Sequence, residues 1–197
     1  MTENTSSTPA PTTTPTTTLD THIDEPSLTP DEVEMLLFAL ARSRAQFAWK
    51  VGGLDAAALR QPHPPSAMTI GGLVKHMAGV EERMMARAIT GRRPAPPWDT
   101  IDPGEDPDFE WRTSADDSPE ELYELWHTAV ERSKAATAAA LADGGLDRPI
   151  AIPFGEWTPN LRRMLVDLHD EYARHVGHAD LFREAVDGLV GEDPPQE

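Results

Sequence analysis

The chain has 197 residues, enough for one domain with a hydrophobic core, although its hydrophobic fraction is only 39%. The formal net charge of −17 argues against nucleic acid or an anionic membrane surface as the main partner, because both require a basic face. The absence of cysteine excludes disulfides and thiolate metal ligands, so any thiol chemistry needs a thiol from a cofactor or substrate.

Residues 1–28 are rich in Thr and Pro and poor in large apolar side chains, which predicts a disordered tail. The N-terminus lacks the basic and apolar regions of a signal peptide, and no stretch approaches the roughly 18 apolar residues of a membrane-spanning helix. A cytoplasmic location is therefore expected by default. The remaining chain divides into a folded domain over residues 29–190 and a short C-terminal tail over residues 191–197.

Four amphipathic segments predict four long helices, since apolar residues recur in each at helical spacing. Their expected bounds are about 30–50, 69–89, 118–143 and 158–186. The first and fourth begin with a cap residue followed by proline, at Thr29 and Thr158, and the third begins with a capping box at Ser118. With no convincing strand and no repeat, this pattern predicts an all-α helical bundle.

Residues 92–117 join the second and third predicted helices. They contain prolines, aspartates, Trp98 and Trp111 without a sustained period. A loop of this length inside a compact domain is often functional or wraps over the core. We therefore expect the Trp98–Trp111 stretch to shape the substrate side of any nearby site.

The residues with the clearest chemical potential are Glu171 and His175, one helical turn apart near the apolar face of the fourth helix. A carboxylate on that face needs a partner, because an unpaired buried charge is costly. His76, on the apolar stripe of the second helix, could complete a site for zinc, nickel or ferrous iron with open coordination positions. Each signal has a structural alternative, since His76 could be a hydrogen-bonded core histidine and Glu171 with His175 a helix-stabilising pair.

Two further residues follow on the same helix. His178 lies one turn beyond His175 and could be an alternative ligand or a group that contacts a ligand. Asp180 could orient one of the histidines, but a surface or helix-pairing role is favoured for it.

Three motifs together resemble the DinB superfamily. They are Thr69–Glu81 with His76 inside it, Trp98, and the run Asp170–Glu184. More narrowly they are similar to its actinobacterial branch of small proteins related to mycothiol-dependent maleylpyruvate isomerase.

The resemblance implies a four-helix bundle of up-down-down-up order. It also implies a metal held by a histidine on the second helix and by two ligands four residues apart on the fourth. His76, Glu171 and His175 match those positions. His178 falls where many members carry glutamine, which argues against it as a direct ligand.

Thiol-dependent members of the superfamily use the metal to hold a small thiol as thiolate. The first functional hypothesis is therefore a metal-dependent thiol S-transferase or isomerase that uses mycothiol and a small-molecule substrate, with zinc as the favoured metal.

Two alternatives remain. The bundle could bind metal without catalysis, as a stress-associated or interaction protein for which a homodimer is one option. It could also be a ferrous oxygenase with two histidines and one carboxylate. The second is less favoured because such ligands usually occur on a β-scaffold. An open crevice beside the metal would favour an enzyme, whereas a site sealed by Trp126, Trp157 and methionines would favour a binding protein.

Overall fold

The computed structural model describes residues 18–101 and 106–196. Apart from two isolated β-bridges, regular secondary structure in these residues is helical, which confirms the predicted all-α class. The elements are α1 (Glu32–Val51), α2 (Ala56–Leu59), α3 (Ile70–Gly79), a π-helical segment (Val80–Arg87), α4 (Ala88–Thr90), α5 (Phe109–Thr113), α6 (Pro119–Ala142), a 3₁₀ turn (Gly145–Asp147) and α7 (Leu161–Asp187). In the part of the chain that the structure describes, no helix is long and apolar enough to span a membrane.

The long helices form a bundle in which α1 lies along α7, and α6 lies along α3 and the π-helical segment. Their apolar stripes meet in one core, where Phe47, Leu73, Met77 and Leu168 are fully buried. The pairing follows from the amphipathic patterns, because each helix must bury its apolar stripe against another element.

The second predicted helix is not a continuous α-helix, because its middle section, Val80–Arg87, is π-helical. Within this segment the consecutive residues Glu81 and Glu82 are both buried, at 0% and 4% exposure. Arg44 of α1 donates two hydrogen bonds to Glu81, at 2.8 and 2.9 Å, and the Tyr172 hydroxyl of α7 donates a third at 2.7 Å. This buried ion pair therefore links three of the packed elements.

Two helix starts differ from prediction. The side chain that caps α1 is Asp31, which accepts from the Glu34 amide at 2.8 Å, rather than Thr29. Helix α7 is capped by Asn160 rather than Thr158. The physical reason is a β-bridge between Pro149 and Asn160, which leaves the residues before Asn160 extended. The predicted capping box at Ser118 is confirmed.

The flanking segments pack on the bundle. Residues 1–17 of the predicted disordered tail, and residue 197, lie outside the described residues. Within residues 18–28, Leu19 packs against the core and is only 7% exposed. The Ile23 amide donates to the Gln196 side chain at 2.9 Å, and Arg42 donates to Asp193 at 3.1 Å. The two ends of the described chain thus meet beside α1.

Candidate metal centre

The bundle brings the three predicted ligands together. His76 projects from α3, and Glu171 and His175 project from successive turns of α7. One donor atom from each lies within 4.8 Å of the other two. Glu171 Oε2 is 3.4 Å from His175 Nε2 and 4.0 Å from His76 Nε2. His76 and Glu171, which are 95 positions apart in the chain, therefore lie close together. The Nε2 atoms of the two histidines both face one carboxylate oxygen of Glu171.

The opposite nitrogen of each imidazole also has a partner. His76 Nδ1 lies 3.1 Å from Glu110 Oε2, and His175 Nδ1 lies 3.3 Å from His178 Nδ1. Both rings are therefore held so that Nε2 faces Glu171. Metal-binding histidines commonly use their second nitrogen in this way, because the contact sets the tautomer and the ring orientation.

Burial favours the neutral, metal-binding form of His175, whose side chain is only 9% exposed. Desolvation lowers the pKa of His175 to about 4, with further contributions from His76, His178 and Arg174. An imidazole with a lowered pKa keeps its ring nitrogen unprotonated at neutral pH, and an unprotonated nitrogen is what a metal requires.

Glu110 was not predicted as a site residue. It lies on α5, a five-residue helix within the connection that the sequence suggested was irregular, and it is 6% exposed. Its Oε1 atom accepts from Trp98 Nε1 at 2.9 Å and from the Arg83 guanidinium. The buried carboxylate thus has two donors at Oε1, while its Oε2 faces His76.

The two residues named beyond His175 occupy different environments. His178 is partly buried and touches His175, but it does not belong to the converging group of three. Asp180 faces α1, where its Oδ1 atom lies 2.9 Å from Lys50 Nζ. This contact supports the helix-pairing role that the sequence favoured for Asp180, which stays a prediction.

A crevice of about 250 Å³ opens beside His76, between Trp98, Phe109 and Trp111. The Trp111 ring stacks on the His76 imidazole, with centroids 5.0 Å apart and planes 21° from parallel. Trp126 is buried and donates to the Tyr172 hydroxyl, whereas Trp157 is 77% exposed. Trp126 and Trp157 therefore do not form a shared seal over the site.

Comparison with models of known protein families shows the family to which this chain belongs. The model of the mycothiol S-transferase family matches residues 35–188, well over half of the chain. The chain belongs to the mycothiol S-transferase family. This membership agrees with the DinB-like motifs, and the matched residues include the converging triad and Glu110. A search of curated proteins gave no significant match.

Proposed function

We propose that this member of the mycothiol S-transferase family is a metal-dependent enzyme that joins the thiol of mycothiol to a small electrophile. His76, Glu171 and His175 are proposed as the metal ligands. The observation that carries the proposal is the convergence of their three donor atoms. One of the three, His76, also lines a crevice. Family membership supplies the reaction class.

The donor set fits a divalent metal. In a tetrahedral site with metal–ligand bonds of about 2.0 to 2.1 Å, neighbouring donor atoms lie about 3.3 Å apart. The 3.4 Å between Glu171 Oε2 and His175 Nε2 matches that value. The 4.0 Å between Glu171 Oε2 and His76 Nε2 is about 0.7 Å longer than that value, so metal binding would draw His76 inward. Two imidazoles and one carboxylate favour zinc, with nickel and ferrous iron as alternatives, and three protein ligands leave room for an exogenous one.

The reaction needs a sulfur nucleophile that this chain does not contain, because it has no cysteine. When bound, a zinc ion lowers the pKa of a coordinated thiol, so that the thiolate forms near neutral pH. The thiol proton leaves to solvent, the sulfur bonds to an electrophilic carbon, and the leaving group departs with its electron pair. His76 and His175 would hold the metal as neutral ligands, and Glu171 would add a negative charge that offsets part of the metal charge.

The crevice beside His76 is proposed as the place where the reacting groups meet. Its volume, about 250 Å³, is smaller than the roughly 300 to 1,000 Å³ of pockets that enclose a whole drug-sized ligand. It therefore suits the reacting portion of the two molecules, held between the aromatic rings of Trp98 and Trp111. This opening favours an enzyme over the non-catalytic metal-binding protein.

The test is a transfer assay with mycothiol and a panel of electrophiles that includes an alkyl halide and an epoxide. Metal-loaded protein should form the thioether product, and chelated protein should not. Glu171→Ala should lower kcat/KM by about 100-fold or more, since loss of metal chemistry removes several kcal/mol of transition-state stabilisation. Glu184→Ala, an exposed carboxylate on the same helix, is the matched control and should keep full activity. Metal-loaded protein that transfers the thiol to no electrophile would contradict the proposal and favour the non-catalytic alternative.

A further inference from the structure

Glu110 combines deep burial with contacts to three separate elements. Its Oε2 atom is 3.1 Å from His76 Nδ1, while Oε1 accepts from Trp98 and Arg83. Indole and guanidinium groups are only donors, so both require an acceptor at Oε1. This requirement orients the carboxyl group and leaves Oε2 for the imidazole.

An ionised carboxylate can only accept hydrogen bonds, so the contact with Glu110 requires the proton of His76 at Nδ1. The Nε2 lone pair is then free, and this is the nitrogen that faces Glu171 at 4.0 Å. The tautomer that Glu110 selects is therefore the one that can bind a metal within the triad.

The face of α3 around His76 is shaped to admit α5. Gly72 and Gly79 lie one turn before and one turn after His76 on this face. A Cβ atom at Gly72 would lie 2.7 Å from the Trp111 ring, and one at Gly79 would lie 2.2 Å from Glu110 Oε1. A side chain at either glycine would therefore displace the Trp111 ring or the Glu110 carboxylate.

We propose that Glu110 is a positioning residue that holds His76 in its metal-binding tautomer and thereby couples metal binding to the ordering of α5. The inference rests on the proposed metal centre. Because Phe109 and Trp111 of α5 line the crevice, the same contact joins the metal site to the wall of the substrate space. Metal binding stabilises α5 against local opening, and a correctly placed α5 strengthens metal binding to the same extent, as linkage requires.

The test compares zinc affinity, measured by chelator competition, in four proteins: wild type, Glu110→Gln, Gly79→Ala and Glu82→Gln. Glu110→Gln should weaken zinc binding by about 10- to 100-fold, the usual cost of removing a group that orients a metal ligand. Gly79→Ala keeps the carboxylate but pushes it from its place, so it should weaken zinc binding in the same direction. This second variant adds no charge change and replaces a helical glycine by a better helix former.

Glu82→Gln is the matched control. Glu82 is also a buried carboxylate, 4% exposed, and it anchors the same connection by accepting from the Ala95 amide at 2.7 Å. Glu82 also accepts from Arg132 at 3.3 Å, and Arg132 is not a triad residue. Zinc affinity of Glu82→Gln should match that of wild type.

Two readouts separate positioning from general stability. The visible spectrum of cobalt-loaded protein should change in Glu110→Gln and not in Glu82→Gln, since it reports the geometry around the metal. Hydrogen exchange of residues 106–113 should slow when metal binds to wild type, and this protection should shrink in Glu110→Gln even at saturating zinc.

The outcomes distinguish this inference from the proposed function. If wild type binds no metal, the metal centre fails and the coupling fails with it. If wild type binds zinc and both Glu110→Gln and Gly79→Ala bind it equally tightly, with unchanged spectra and exchange, only the role of Glu110 is overturned.

Discussion

Each histidine of the candidate centre uses both of its ring nitrogens. Nε2 of His76 and Nε2 of His175 face Glu171, and their Nδ1 atoms face Glu110 and His178 respectively. A core histidine that only satisfied its own hydrogen bonds would not need a second histidine and a carboxylate at its other nitrogen. The paired arrangement is what links these residues to metal chemistry.

The sequence predicted the triad but not Glu110, and the physical reason is clear. Glu171 and His175 carry a spacing that places them on one helix face, and His76 lies on the apolar stripe of the second predicted helix. The resemblance to a known superfamily then matched all three. Glu110 is one of 34 acidic residues, in a short helix between prolines and aspartates where no period develops. The sequence held only an indirect indication of Glu110. Gly72 and Gly79 flank His76 at helical spacing, and two glycines on one helix face leave space for a closely packed neighbour.

At the residue scale, a substitution of Asp180 can distinguish its pairing with α1 from a role in orienting a metal-binding histidine. Asp180→Asn should destabilise the fold by about 1 to 3 kcal/mol, because Lys50 is almost fully buried and would lose its ionic partner. The cost stays below that of a fully buried pair, since the Asp180 side chain is 42% exposed. Chemical denaturation measures this cost.

Asp170→Asn is the control for that measurement, because Asp170 and its partner Arg174 are 70% and 59% exposed. It should change the free energy of unfolding by less than about 0.5 kcal/mol. Metal stoichiometry should be unchanged in both variants. A loss of metal from Asp180→Asn, without a loss of stability, would contradict the pairing role.

At the scale of elements, the sequence located the long helices well and their starts less well. Periodicity depends on many residues, so the spans of α1, α6 and α7 were predicted within a few positions. A cap depends on one side chain and on the path of the chain before it. The β-bridge at Asn160 joins residues 11 positions apart, and helical periodicity carries no information about that contact.

The start of α7 can be tested directly. Asn160→Ala should destabilise the protein by about 1 kcal/mol, because the Arg163 amide loses the side-chain oxygen that it contacts at 3.0 Å. Thr158→Ala should change the free energy of unfolding by less than about 0.5 kcal/mol, since Thr158 is exposed and does not cap the helix. A larger loss of stability in Thr158→Ala than in Asn160→Ala would instead support Thr158 as the cap, as predicted from the sequence. The denaturation midpoints of the two variants measure both losses.

At the scale of the whole molecule, four long amphipathic segments pack together around one hydrophobic core. The sequence could predict this class because each segment has an apolar stripe that needs a partner. It could not predict the π-helical segment or the docking of residues 18–28 and 191–196. Those features depend on contacts between distant parts of the chain, such as Arg44 with Glu81 and Arg42 with Asp193.

The bundle also explains why the candidate centre needs the complete fold. Its ligands come from α3 and α7, and the residues that orient them come from α5 and α7. A metal bound there would join segments that are far apart in sequence, and it would stabilise the native state by an amount set by its concentration relative to its Kd. The homodimer suggested by the sequence stays a prediction at this scale.

The measurement that tests the central claim most directly is metal content by elemental analysis after chelation and reloading with zinc. Wild-type protein should hold about one zinc per chain. His76→Ala, Glu171→Ala and His175→Ala should each lose most of it, while His127→Ala, an exposed histidine on α6, should retain it. Full zinc content in all three triad variants, or none in wild type under any loading condition, would contradict the account.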